Sequence, residues 1–542
     1  MLFHPRIFDS FKGYNRTLLI KDVLAGITVG IVALPLAMAF AIASGLKPET
    51  GIFTAIVAGG LISLLGGSRV QIGGPAGAFI VIVYGIVEHY GVANLLVATA
   101  MSGVFLLLMG IFRLGTLVRF IPVAVIIGFT NGIAVLIGLS QIKDFFGLSI
   151  DKMPAEFFQA IQALYQAADT VNPTALAIAC GSLAIIIVWK LIQRHLGWFS
   201  HLPGTVVAMV AATIITSLLN LPIDTIGTRF GGIPSSLPHL EWLPISWSTA
   251  QFMIAPALTL ALLGAIESLL CARIADGLIH DRHESNQELM AQGIANIVSP
   301  FFGGMPATGT IARTVTNIES GGTTPLAGIV HSLTLLLVIL FAAPLAKNIP
   351  LASLAAILMY VAWNMGEWKK FVDLKQFRLP YRLTILSVFI LTVVLDLTVA
   401  VQVGLLSAFI TFIYRISSLS RCEPADPNLF PELNQHRGQI DAYRIYGAIF
   451  FGAVKLLEKI EENLPSRTLI LDLKNVIYID TSGMETLAEL THLCKIRNIT
   501  LIICGLDHQP YEMAQRSAYL ESIKPDCLYP DLSSGIAAAI AN

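Results

Sequence analysis

Gly73-Gly74-Pro75-Ala76-Gly77-Ala78 and Gly303-Gly304-Met305-Pro306-Ala307-Thr308-Gly309-Thr310 are two glycine-proline breaks set deep in apolar sequence. Proline at a first helical position lacks only a donor that would be unpaired there anyway, so each break reads as a helix start. A helix that begins inside a bilayer points four unpaired N–H groups and the positive end of its dipole inward. Such an end attracts anions. Interrupted segments at matching places in two halves point to a transporter's binding site. The expected site is therefore built from Ala76, Gly77 and Ala78 of the first break and Gly309, Thr310, Ile311, Ala312 and Arg313 of the second.

Working outward, apolar runs of roughly 15 to 25 residues recur up to about residue 420, the length a bilayer crossing needs. The spans expected are 23–45, 51–66, 75–88, 93–112, 121–142, 174–192, 202–220, 250–275, 288–303, 306–317, 324–346, 351–365, 381–397 and 398–418. Two of them, 75–88 and 306–317, are too short to cross alone, and they begin at the two breaks. Each is third in a set of seven. An odd number per half inverts the second half, so the fold class expected is a mainly α membrane protein of 14 segments in a 7+7 inverted repeat. Composition agrees: 55% of the 542 residues are hydrophobic and 13% charged, with a mean hydropathy of +0.74, whereas a soluble chain carries about 25% charge.

The net charge of -1 argues against a nucleic-acid partner, which leaves a basic patch. The six cysteines show no C-x-x-C pair and read as reduced thiols. Residues 1–22 are polar and basic with no signal-peptide pattern, so the first span is retained. With that end in the cytoplasm, the inside segments hold eighteen Lys and Arg and the outside segments five, Lys47, Lys143, Lys152, Arg229 and Lys347. That bias places both termini in the cytoplasm.

The expected domains are an N-terminus over 1–22, a transporter domain over 23–420 with repeats near 23–220 and 250–420, and a small α/β domain over 435–542. Thr468–Leu473 and Thr500–Cys504 read as buried strands and Ser482–Arg497 as an amphipathic helix between them, which implies a parallel sheet.

These features resemble the sulfate permease (SulP) anion transporters over nearly the whole chain. Ala25-Gly26-Ile27-Thr28-Val29-Gly30 with Ala33-Leu34-Pro35 is similar to the family signature in the first span. Phe301-Phe302-Gly303-Gly304 and Arg313-Thr314 match the entry to its tenth span, and Asp480-Thr481-Ser482-Gly483 resembles the mark of its STAS domain. The stretches Leu263–Ala272, Gln141–Phe145 and Val361–Met365 resemble the dicarboxylate-uptake branch, the DauA-like proteins. The resemblance implies a core and a gate domain, an anion held between the third and tenth half-helices, and a homodimer in the lipid bilayer. Many members carry Pro-Gln and a nearby tyrosine in the first span; here stand Pro35-Leu36 and Phe40, and Ala312 replaces a serine found in some relatives. Backbone N–H groups must then carry more of the recognition.

Glu267 sits mid-span beside Ala257, Ala261, Gly264 and Ser268. A carboxylate at bilayer depth is costly, and taking up a proton relieves the cost. We expect it to couple transport to protons, against the alternative of a structural hydrogen bond. The family's sodium-coupled bicarbonate members have aspartate there with threonine one turn on; Glu267 with Cys271 fits protons better. Arg313 either adds positive potential for the anion or pairs with an acid. Asp396 reads as a cap between the last spans, and His89, His239 and His331 as isolated. In soluble STAS relatives the residue after the aspartate is a phosphorylated serine; Thr481 stands there, as a regulatory site or as a cap shared with Ser482. No nucleotide-binding loop or other cofactor motif occurs. The function expected is a proton-coupled secondary transporter of anions, C4-dicarboxylates foremost, with sulfate or bicarbonate symport, an uncoupled anion channel and a membrane-tethered signalling protein as alternatives. It is not an enzyme.

Overall fold

The computed structural model describes residues 3–11, 13–116, 122–150, 152–192, 203–243, 246–395, 397–426, 428–450, 457, 460–461 and 463–541. Two compact units divide the chain, residues 1–405 and 406–542. The boundary falls inside the last long helix of the apolar region, ahead of the change in composition near residue 420.

The first unit is helical. Helix α1 spans Arg16–Ala43, α2 Pro48–Leu65, α3 Ile80–Ile111, α4 Val123–Phe146, α5 Pro173–Ile192 and α6 Gly204–Leu219. Then come α7 Trp247–Ile279, α8 Ser285–Val298, α9 Ile311–Glu319, α10 Leu326–Ala346, α11 Leu351–Met365, α12 Leu379–Val394 and α13 Leu397–Leu419. Among the described residues seven stretches are long and apolar enough to cross a membrane alone: α1, α2, 77–111, α4, α5, α7 and α10. Helix α1 starts seven residues before the expected span because the Asn15 side chain caps it, accepting from Leu18 N–H at 3.0 Å. Its polar first turns extend the helix beyond its apolar part. The expected spans 75–88 and 93–112 abut at Gly91, whose φ of 82° breaks the helix and suits glycine alone. Asp396 lies outside the described residues.

Small residues let these helices close on one another. Gly103 of α3 faces Gly293 of α8 so closely that a Cβ on Gly103 would lie 2.6 Å from the Gly293 carbonyl. The N-terminal end of α1 is anchored through Asp22, which is fully buried. Its carboxylate accepts from the backbone N–H groups of Thr323 and Thr324, from both their hydroxyls and from Tyr14. That acid was not singled out in the sequence, because its partners lie some three hundred positions away.

The decisive element is small. Strand β1, Gly73–Gly74, pairs antiparallel with β2, Thr308–Gly309, with Gly73 opposite Gly309 and Gly74 opposite Thr308. The two breaks therefore cross each other. Because Thr308 and Gly309 are used in this crossing, the second helix begins at Ile311 and not at Pro306, a correction to the helix start read from that proline. After the first break a 3₁₀ turn, Gly77–Phe79, leads into α3.

The second unit is a five-stranded sheet in the order β3-β4-β5-β6-β7: Arg421–Pro424, Ile440–Ile449, Thr468–Ile479, Thr500–Cys504 and Leu528–Tyr529. Strand β3 is antiparallel to β4, and the other pairs are parallel. Along β5, Leu469, Leu471 and Leu473 face one core cluster and Ile470 the other, the period of two that a sheet covered on both faces needs. Helices α14 (Thr481–Ile496), α15 (His508–Arg516) and α16 (Leu532–Ala541) cover it. The expected strand at 468–473 runs on to Ile479, and β3, β4 and β7 are additions to the sequence reading.

Candidate functional site

The crossing of β1 and β2 fixes where both helix starts point. Thr310 N–H donates to the Ile72 carbonyl at 2.9 Å, and the Thr310 hydroxyl donates to the same oxygen at 3.1 Å. Ile72 N–H in turn donates to Thr314 Oγ1 at 3.0 Å. Met305 N–H donates to Thr54 Oγ1, and Asn296 bonds both the N–H and the carbonyl of Ala307. The second break is thus held from α2 and α8 on one side and from the first break on the other.

A cavity of about 500 Å³ opens beyond these starts. Ala76, Gly77 and Ala78 line it from the first break, and Thr310, Ile311, Ala312 and Arg313 from the second. Helix α7 adds Glu267, α1 adds Leu36 and Phe40, and α4 adds Thr130. From there the lining continues to Thr205, Ile274, Asn364 and Glu367, at the ends of α6, α7 and α11. Seven of the eight residues expected from the sequence at the anion site therefore reach one cavity, together with Glu267, expected for proton coupling. The eighth, Gly309, does not line it: it lies in β2, where a Cβ would strike the Gln71 side chain. Thr310 reaches the cavity, yet its backbone N–H is consumed by Ile72. The free donors of α9 begin at Ile311, whose N–H, with those of Ala312 and Arg313, has no carbonyl four residues back within the helix.

Arg313 is 1% exposed, and neither Nη1 nor Nη2 has a hydrogen-bond partner among the described residues. No carboxylate lies within ion-pair distance of it there. Of the two roles open to this arginine, the acid pair is absent. Its guanidinium lies against Gly74, where a Cβ would collide with Nη1. A buried guanidinium without a partner leaves an uncompensated positive charge beside two helix starts. An anion in the cavity would satisfy it.

Glu267 is partly buried in the cavity wall, and its Oε2 has no partner among the described residues. Its neighbours are all engaged: Gly264 accepts from Thr308 Oγ1 at 2.9 Å, Ser268 Oγ accepts from Gln71 Nε2 at 2.9 Å, and Cys271 Sγ donates to Thr314 Oγ1 at 3.3 Å. These bonds tie α7 to both breaks. The sequence reading passed over Glu288, which is fully buried on α8. That carboxylate accepts from Gly67 N–H at 2.9 Å, Ser68 N–H at 3.2 Å and Gln292 Nε2 at 2.9 Å. It holds the chain leading into β1. Only its place at the edge of an expected span, at the start of 288–303, could have flagged it.

In the second unit the cap before α14 is Asp480, which accepts from Gly483 N–H at 2.8 Å. Neither Thr481 nor Ser482 is the cap, and the Thr481 side chain is exposed.

The model of the Sulfate permease family matches residues 19–389 and that of the STAS domain residues 433–535. YvdB of Bacillus subtilis, provisionally named a sulfate transporter, is 41% identical over 96% of this chain and 97% of its own. The bicarbonate transporter BicA of Picosynechococcus is 30% identical over 95% and 96%. The structure of the murine anion transporter Slc26a9 in its inward-facing state shares the fold, with a TM-score of 0.87 over 99% of this chain and 94% of that one at 18% identity.

Proposed function

The chain belongs to the sulfate permease family as a multi-pass membrane anion transporter, and on that premise we propose that it imports C4-dicarboxylates such as succinate or fumarate together with protons, by alternating access. The observation that carries this reading is the cavity in which both helix starts, the unpaired guanidinium of Arg313 and the unpaired carboxyl oxygen of Glu267 meet. Arg313 and the N–H groups of Ile311 and Ala312 hold one carboxylate, with Ala76, Gly77 and Ala78 closing over the anion from the first break. Glu267 takes up and gives back the proton. A dianion entering against a negative interior costs about 2.3 kcal/mol per charge per 100 mV, and a co-transported proton offsets part of it.

Both termini face the cytoplasm in this proposal, as the Lys and Arg bias supports. The cavity then opens inward, past Asn364 and Glu367. Two copies assemble in the bilayer, and the exposed Thr481 is a candidate for phosphorylation. A second reading, sulfate or bicarbonate as the anion, is favoured by what YvdB and BicA are named for. Uptake of labelled succinate, sulfate and bicarbonate by reconstituted vesicles under an imposed pH gradient decides between them. Succinate accumulating only with an inward proton gradient, and outcompeting sulfate, supports the proposal; sulfate winning outright moves the protein to the second reading.

A further inference from the structure

A second cavity of about 270 Å³ lies along the same three segments that line the first. On α1 the central cavity takes Leu36 and Phe40, and the second takes Ile42 at its end and Leu46 in the turn beyond it. Across the first break the central cavity takes Ala76 to Ala78, and the second takes Tyr84 and Glu88 of α3. On α4 the central cavity takes Phe129 and Ile133, and the second takes Ser140, Lys143 and Asp144. The two cavities are therefore successive along one path. Between them is a layer of Phe40 and Ile137 closing on Gly77, where a Cβ would lie 3.5 Å from Phe40 Cε1 and 3.7 Å from Ile137 Cδ1. The second cavity is walled by Lys143, which is 7% exposed, by the Asp144–Arg229 pair at 2.7 Å and by Lys152.

Its far side is closed by two contacts from α3 to the segment after α4. Tyr84 donates its hydroxyl to the Met153 carbonyl. Glu88 Oε2 accepts from Ala155 N–H at 2.8 Å, and Glu88 Oε1 lies 3.8 Å from Lys152 Nζ. A backbone N–H and an ammonium are the donors that an arriving anion would seek. Here a carboxylate of the chain itself occupies both.

We propose that this cavity is the outer half of the anion path, and that Glu88 closes it by occupying the Ala155 and Lys152 donors which a small dianion meets when the path opens outward. Opening frees these donors for the incoming anion, and closing replaces that anion by Glu88 once it has moved on. The inference rests on the transport reading above and adds a gate and an entry station to it.

The test uses full-length protein reconstituted in vesicles, with Ser140→Cys as a reporter in the second cavity and Cys180→Ser removing the exposed native thiol. A membrane-impermeant maleimide is applied from outside, with the parent chain lacking the reporter as blank. Glu88→Gln keeps the side chain's size but loses its charge, and Lys152→Gln alters a side chain that is 65% exposed and so tolerated by the fold. Loss of this partly exposed pair should speed labelling by about threefold in either variant. External succinate or sulfate should slow it. Labelling at the parent rate in both variants overturns the latch, and labelling indifferent to either anion overturns the entry station. Uptake measured in the same vesicles separates the two levels: a parent that carries no anion sinks the transport reading, whereas normal uptake with unchanged labelling sinks the latch alone.

Discussion

Thr310 N–H donates to the Ile72 carbonyl at 2.9 Å, so the residue before the second half-helix is bonded to the residue before the first β1 glycine. Sequence logic counted Thr310 among the backbone donors to the anion; the bond to Ile72 takes that N–H out of the proposed site, whose load then falls on Ile311 and the guanidinium of Arg313. The consequences can be measured.

Glu267→Gln keeps size and hydrogen-bonding capacity and removes titration. Anion binding and counterflow exchange should survive, because α9 and Arg313 are untouched. Uphill accumulation under an inward proton gradient should vanish. A variant that still concentrates anion in response to pH would make Glu267 a structural residue.

Arg313→Ala should weaken binding with or without a gradient. Removing the one charged partner of an anion in a partly desolvated site costs ~2–5 kcal/mol, so KM for uptake should rise at least about tenfold. Arg313→Lys should recover part of the loss through charge alone, since an ammonium lacks the planar fork. An unchanged KM in the alanine variant would refute the role assigned to this arginine.

Gly309→Ala tests the crossing itself. Its Cβ would strike the Gln71 side chain, whose amide donates to Ser268 of α7. Overpacking of this kind costs about 1–3 kcal/mol. Gly85→Ala, where a Cβ meets nothing within 4 Å, is the control. Thermal unfolding in detergent should show a clear drop in Tm for the first variant and little change for the second.

At the N-terminal segment, Arg6 Nη2 reaches both carboxylate oxygens of Asp281 at 3.1 and 3.2 Å, and Arg69 Nη1 lies 3.6 Å away. Partial burial works to raise the Asp281 carboxyl, but the Arg282 N–H, Arg6 and Arg69 outweigh it and hold it below its usual range. A depressed folded-state value means the tie is fully present above the ordinary aspartate pKa of about 3.9 and is lost as pH falls through the lower folded value. Hydrogen exchange at Arg6, whose N–H donates to the Gly66 carbonyl at 2.9 Å, and at Phe8 should be protected at neutral pH and lose protection on acidification below about 4, after correction for intrinsic rates. In Asp281→Asn the protection should be weak throughout.

The breaks at Gly73–Pro75 and Gly303–Pro306 were legible because glycine and proline stand out against uniformly apolar surroundings. Their pairing was not, since two-residue strands leave no alternation to read. For the same reason Pro306 suggested a helix five residues too early. Glu267 was legible as a lone charge inside a span, whereas Asp22 and Glu288 sit at span edges, where acids are ordinary. Only their distant partners, Thr323 and Thr324 for one and Gly67 and Ser68 for the other, show that they are buried. In the second unit β5 and β6 stood out by their aliphatic runs, β4 was missed because polar residues break its apolar run, and β3 and β7 are short edge strands whose identity depends on the neighbour they pair with.

The β1–β2 crossing also bears on thermodynamics. Because one ladder holds both positive helix ends, neither can be withdrawn without the other, and an anion keeps the same set of proposed ligands whichever side of the membrane it is exposed to. A site carried whole in this way would have the same intrinsic dissociation constant inward and outward. Net flux follows the ion gradients and the membrane potential in any case; equal affinities would make the two faces load alike at a given anion concentration.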